Sequence, residues 1–237
     1  MVSALPLTLA GATLRRRGKV LVGPVDLKLG ERGVTVVIGP NGSGKTSLLR
    51  MMHGLQRVAA GSVTWSLPDT EARRRQAYVF QQPIALRRSV LANLVFPLRL
   101  HGMPRAQATA MARTAASRFD LTAKLEQSAP SLSGGEMQRL ALARALIATP
   151  EILFADEPCA ALDGSATRQI ESHLVEAAAS GTRLVMATHD MGQARRIADD
   201  VIFLLHGRIH ETGPATAFFD GPDTAEARAF LRGDIVD

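Results

Sequence analysis

Eight residues carry the clearest chemistry in this chain: Gly39-Pro40-Asn41-Gly42-Ser43-Gly44-Lys45-Thr46. They match the pattern G-x-x-x-x-G-K-[ST] at every fixed position. Glycines let successive backbone N–H groups turn inward toward an anion. A helix starting near Gly44 adds the positive end of its dipole. Lys45 can reach terminal phosphates, and the Thr46 hydroxyl can ligate magnesium. Ser47 follows at once and is counted with the loop as nucleotide-binding.

Asp156 and Glu157 come after the apolar run Ile152-Leu153-Phe154-Ala155. A carboxylate at that strand end can hold a magnesium ion opposite Thr46, and a second beside it can polarise an attacking water as general base. Gln81 and His189 also stand at strand ends. A glutamine amide there can orient water or ligate magnesium through its oxygen. An imidazole can hydrogen-bond a γ-phosphate and steady Glu157 and the water. Leu132-Ser133-Gly134-Gly135-Glu136 adds a small hydroxyl and two glycines at a helix start, a second anion nest. One γ-phosphate needs only one loop beneath it. The second nest wants a second nucleotide, or another subunit's. His206 and His210 straddle a glycine turn and read as surface.

These groups need strands that deliver them to one edge. Residues 5–15 and 20–30 read as strands of a small antiparallel sheet, turning near Arg15–Lys19. Val34–Ile38 is fully apolar, as a buried parallel strand is, and residues 44–53 form the helix after the loop. Val63–Trp65 and Ala77–Phe80 read as short strands, with a basic, polar piece at 70–76 between them. Pro83 stops the second. Residues 89–101 and 104–118 read as helices, with Ser89 as cap and Pro104 in a first turn. A helix from about Glu136 to Ala148 follows the second nest. Then come strand 152–155, helix 164–180, strand 183–188, helix 191–198, strand 200–205, a turn-strand at 207–210, and helices near 214–219 and 223–231. Alternating strands and helices imply a parallel sheet with helices on both faces, the ligand edge lying beyond the strand ends.

Composition agrees. The chain has 237 residues, 46% of them hydrophobic but only 4% aromatic, so the core is built from Leu, Val, Ile and Ala. Its single cysteine, Cys159, excludes a disulfide framework and suits a reducing compartment. The N-terminus lacks a secretory signature, and no apolar run approaches a membrane span. The net charge of +6 is uneven: residues 82–130 hold seven Arg or Lys against two acids, residues 211–237 six acids against two arginines. The basic stretch can suit nucleic acid, an anionic membrane surface or plain solvent.

Taken together, the motifs resemble those of ATP-binding cassette (ABC) transporter ATPase subunits, over nearly the whole chain. Gly39–Thr46 resembles the Walker A loop, Gln81 the Q-loop glutamine and Leu132–Glu136 the signature. Ile152–Asp156 resembles Walker B with Glu157 as catalytic glutamate, Ala160–Asp163 the D-loop and His189 the switch histidine. The resemblance implies an α/β P-loop NTPase fold with a parallel-sheet core, a small N-terminal antiparallel β subdomain and an inserted α-helical subdomain. It makes residues 1–237 one domain, with 1–81 and 150–237 as core and 82–149 as helical subdomain. It implies ATP and Mg2+ as cofactors, the ion held by Thr46, Gln81 and Asp156. It implies a head-to-tail dimer with two ATP molecules between the Walker A of one copy and Ser133, Gly134 and Gly135 of the other. A membrane permease would dock near the Q-loop, where Arg87, Arg88 and Arg99 meet it or lipid headgroups. A solute-binding protein would act indirectly, nucleic acid would not be a partner, and the chain would lie peripherally on the cytoplasmic face of the inner membrane.

Two positions depart from the family. An adenine-stacking aromatic is usual near the start, yet no Phe, Tyr or Trp precedes Trp65. Arg17 stands where it would be, and an arginine plane can cover a base. Cys159 stands where a hydroxyl is common, either as a small buried residue or as an oxidation-sensitive thiol. DNA-repair relatives carry long coiled coils between the loop and the signature, but only 85 residues separate Thr46 from Leu132 here. Translation-factor relatives usually hold two cassettes. A nucleotide-gated module with little hydrolysis would not need Glu157. A stand-alone cassette with a short tail suggests a bacterial importer. The wording of Phe80–Val90 and Gly192–Arg196 is closest to tungstate or other oxyanion importers, with amino-acid import as the alternative.

Overall fold

The computed structural model describes residues 2–160 and 162–236. Two sheets and a helical lobe make up the architecture. β1 (Leu7–Arg16) and β2 (Lys19–Leu29) form a hairpin. β3 (Val34–Ile38) leads to α1 (Lys45–His53), and β4 (Ala60–Thr64) then returns to pair with β1. α2 (Asp69–Ala72) precedes β5 (Gln76–Val79). α3 (Val90–Leu100), α4 (Arg105–Arg118) and α5 (Gly134–Leu146) follow. β6 (Ile152–Asp156), α6 (Gly164–Ala179), β7 (Arg183–Ala187), α7 (Met191–Ile197) and β8 (Asp200–Leu205) complete the alternation. β9 (Arg208–Pro214), α8 (Ala215–Asp220) and α9 (Ala225–Arg232) end the described chain.

The small sheet has order β2-β1-β4 and is antiparallel. The large sheet has order β5-β6-β7-β3-β8-β9. Its strands β5 to β8 run parallel, with Val36 beside both Met186 and Val201, and β9 returns antiparallel on the edge. A strand buried on both faces sends alternate side chains to opposite layers. Val36 and Ile38 accordingly join the core under the helical lobe, while Val37 joins the core shared with α1 and the small sheet. β6 splits the same way, Leu153 and Ala155 to one side, Ile152 and Phe154 to the other. In the lobe, Ala108, Ala112 and Ala116 recur at one-turn spacing on α4 and are fully buried in the same core as Val90, Leu94 and Leu98 of α3. Alanine on that face lets the helices lie close.

The structure moves several expected boundaries. β4 starts at Ala60 and ends before Trp65, pairing with β1 so closely that a side chain at Gly61 would strike the Gly11 carbonyl at 2.3 Å. The polar piece at 70–76 is not irregular: it holds the end of α2, a 3-10 turn over Arg73–Arg75 and the first residue of β5. α5 opens at Gly134, since Ser133 supplies the cap. The turn-strand near 207–210 is the seven-residue β9, extended by its pairing with β8. His210 on it is exposed, as expected, and its Nε2 lies 3.1 Å from Glu226 Oε2.

Two backbone bonds stitch the sheets together at the β8–β9 turn. Gly207 donates its N–H to the Ser43 carbonyl at 2.9 Å, and its own carbonyl accepts from Gly23 at 2.7 Å. Gly207 has φ 75, and a Cβ there would sit 2.4 Å from the Leu21 carbonyl, so only glycine fits.

Candidate functional site

The glycine loop leaves the buried end of β3 and curls onto the start of α1. Gly39 has φ 148, and a Cβ would lie 2.1 Å from the Leu204 carbonyl; Gly44 has φ 104, with the Val22 side chain 2.7 Å from such an atom. The loop is therefore pressed against β8 and β2 by backbone alone. Lys45 is 6% exposed, and its Nζ donates to the carbonyls of Gly39 at 2.9 Å and Pro40 at 3.0 Å. Burial lowers its pKa, while the nearby Glu157 and Asp156 act in the opposite sense. The Ser43 hydroxyl is buried without a partner.

The facing wall comes from the ends of β5, β6 and β7. Asp156 closes β6, and its two oxygens are held separately: Thr46 Oγ1 donates to Oδ1 at 2.9 Å and Tyr78 Oη to Oδ2 at 3.1 Å. Burial raises the Asp156 pKa, and these two hydrogen bonds oppose the rise. Thr46, Asp156 and the nearby Gln81 are a neutral hydroxyl, a carboxylate and an amide, an all-oxygen donor set of the kind that suits a hard divalent cation. Glu157 sits one residue beyond, at φ 46, a left-handed conformation a non-glycine residue adopts only under constraint. Its Oε2 accepts from Gln81 Nε2 at 2.9 Å and lies 3.1 Å from His189 Nδ1. Three strand ends thus converge on one carboxylate oxygen. The cleft between this wall and the loop measures about 570 Å³ and is lined by Asn41, Gly42, Gly44, Lys45, Thr46, Ser47, Gln81, Glu157 and His189.

Other singled-out residues lie elsewhere. Ser133, Gly134 and Gly135 are absent from this lining. Ser133 caps α5 in a closed capping box: Glu136 N–H donates to its Oγ at 3.4 Å and its own N–H donates to Glu136 Oε2 at 2.9 Å. That donated N–H lowers the Glu136 pKa. A Cβ at Gly134 would meet nothing within 4 Å. Arg17 stands at the exposed β1–β2 turn with φ 49, outside the cleft lining. Burial pushes the Cys159 thiol up to about 11, which speaks against a reactive thiolate there. Asp163 caps α6 through bonds from Ser165 and Ala166, while Ala161 lies outside the described residues.

Tyr78 is the contact the motifs do not announce. Its only trace is its place three residues before Gln81 on a strand whose alternation sends it toward β6's Phe154.

Residues 22–160 match the model of the ABC transporter family, described as "ABC transporter". The chain belongs to this family. It is 36% identical to the L-cystine transport system ATP-binding protein TcyN of Escherichia coli over 230 residues, 90% of this chain and 92% of that one. It is likewise 36% identical to the phosphate import ATP-binding protein PstB 2 of Natronomonas pharaonis, covering 97% and 87%. Among solved structures, one titled as the dimeric, post-hydrolysis state of an ATP-binding cassette bound to ADP and Pi superposes with a TM-score of 0.79 at 29% identity, covering 88% of this chain and 98% of that one. The ATP-binding subunit of an ABC transporter superposes at 0.84 with 21% identity, covering 96% and 100%, a likeness of fold. This chain of the ABC transporter family is an ATP-hydrolysing subunit.

Proposed function

We propose that the cleft hydrolyses ATP to drive a membrane importer, with its own residues in distinct roles. The backbone of Gly39–Gly44 cradles phosphate, Lys45 leaves the carbonyls of Gly39 and Pro40 to meet the terminal phosphates, and Thr46, Asp156 and Gln81 hold Mg2+. That ion, when bound, shields phosphate charge. Glu157 takes the proton of the attacking water, Gln81 orients that water, and His189 fixes the carboxylate and meets the γ-phosphate. The observation that carries this reading is the meeting of Gln81 and His189 on Glu157 Oε2, across the cleft from Lys45. Removing such a base costs about 10²–10⁴-fold in rate. Glu157→Gln should bind ATP normally and lose turnover by that factor in a phosphate-release assay; near-parent turnover would refute the role.

The second nest supports a head-to-tail pair of copies, Ser133–Gly135 of one closing on the nucleotide of the other. That a solved relative bound to ADP and Pi is dimeric supports pairing of copies. The permease surface fits a groove on the helical lobe lined by Arg88, Leu91, Phe96, Arg99, Arg105 and Glu126; Leu100, next to Arg99 on α3, is 71% exposed. No described helix is long and apolar enough to cross a membrane, so partners would supply the pathway. Arg88→Glu should weaken co-purification with the permease while ATP binding is kept; unchanged co-purification would remove the assignment. For cargo we favour an inorganic oxyanion such as tungstate, since phosphate and anion importers stand among the relatives; the cystine and methionine systems keep amino-acid import as the alternative. Identifying the permease and binding protein that co-purify decides between them.

A further inference from the structure

Behind the cleft, the segment after Glu157 and the helix after His189 are joined by buried side chains that take no part in its lining. Asp190 caps α7, accepting from Gln193 N–H at 2.9 Å, and donates its own N–H to Thr188 Oγ1 at 3.1 Å. His189 is held inside that turn. Gln193 is 1% exposed, and its Nε2 reaches Cys159 Sγ at 3.1 Å and Glu171 Oε1 at 3.2 Å. Cys159 stands two residues past Glu157, in a turn closed by Glu157 and Cys159 carbonyls accepting from Ala160 and Leu162. Glu171, on α6, is 7% exposed, and Arg196 of α7 closes on it with both Nε (3.1 Å) and Nη2 (2.6 Å).

We propose that Glu171 and Gln193 are a positioning pair: they fix the turn that carries His189 against the turn that carries Glu157, and so set the 3.1 Å contact between those two side chains. The inference rests on reading Glu157 and His189 as the hydrolytic pair. A buried carboxylate is costly, and an apolar pair of equal volume would pack at least as stably. What the polar pair adds is direction. The Gln193 Nε2 donates to two acceptors, a sulfur on the Glu157 turn and a carboxylate on α6, and Arg196 holds that carboxylate in place through two bonds. Sliding or rotating α7 breaks these contacts together. Glu157 needs such a support, because its left-handed backbone persists only where surroundings hold it. The distance from Lys45 and the glycine loop separates this effect from nucleotide affinity, since neither residue lines the cleft.

The test uses the full chain with Mg-ATP. Gln193→Met keeps the volume and removes both bonds; kcat should fall about tenfold while KM for ATP stays within about twofold, as misplacement of reacting groups acts on the chemical step. Gln193→Glu sets carboxylate against carboxylate and should fall further. The double exchange Glu171→Gln with Gln193→Glu restores one amide–carboxylate pair but removes the carboxylate that Arg196 grips, and should recover kcat only in part, above Gln193→Glu alone. Because Cys159 is the chain's only cysteine, its rate with a thiol reagent reports the pair directly. It should fall in Gln193→Met, which removes the hydrogen bond that favours the thiolate. Unchanged kcat in Gln193→Met, or an exchange no better than Gln193→Glu alone, overturns the proposal. So does a Cys159 rate that Gln193→Met leaves untouched. Failure of the hydrolytic reading would look different: Glu157→Gln would keep turnover while the thiol rates still followed the pair.

Discussion

The chain carries two glycine-bearing helix starts of opposite construction. At Gly39–Thr46 the two ends of the loop are packed against β8 and β2, while its middle opens on the cleft. A methyl group at Gly39 has no room, Lys45 is drawn onto its own loop, and the Ser43 carbonyl is bonded from another turn. At Ser133–Gly135 nothing crowds the backbone; the serine and Gly134 are exposed, and the helix is capped by its own Glu136. The first is finished by the fold around it. The second is finished only by itself and faces outward. Two phosphate-binding devices in one chain therefore need not serve the same phosphate, and the open one is shaped for something the chain does not supply.

Gly39→Ala tests the packed side and should show the largest effect. Left-handed backbone costs a non-glycine residue roughly 1–2 kcal/mol, and the collision with Leu204 adds to it, so stability should drop by at least about 2 kcal/mol in denaturant melts. Gly134→Ala is its mirror. A methyl there meets nothing, and alanine favours a helix by up to about 1 kcal/mol over glycine, so the melt should hold or improve. Turnover should nonetheless fall at least about tenfold, some 1.4 kcal/mol, if a second copy's nucleotide must approach that backbone. Equal losses of stability in both variants would break the contrast. Ser133→Ala is the smallest: losing the cap should cost about 1 kcal/mol of stability, and a melt unchanged from the parent would mean that the capping box contributes nothing.

Local chemistry is what a sequence displays best. The run from Ile38 to Thr46 is readable because glycine spacing, lysine and hydroxyl all sit within one loop. The parallel alternation of β3, β6 and β7 is readable for the same reason, since each strand is a continuous apolar run. The meeting of Gln81, Glu157 and His189 on one oxygen is another matter. It depends on β5, β6 and β7 lying side by side in register, which no single segment encodes. Tyr78 and Gln193 went unread because their partners lie 78 and 34 residues away. The start of β4 was hidden because Ala60-Gly61-Ser62 is exposed and lacks strand-forming residues, its place being set by the neighbouring bulge in β1.

The two backbone bonds through Gly207 have a mechanical meaning. Gly23 of the hairpin, Gly207 of the β8–β9 turn and Ser43 of the phosphate loop are links in one short chain of hydrogen bonds. A displacement of the small sheet would be passed to the phosphate loop through backbone bonds rather than through side chains.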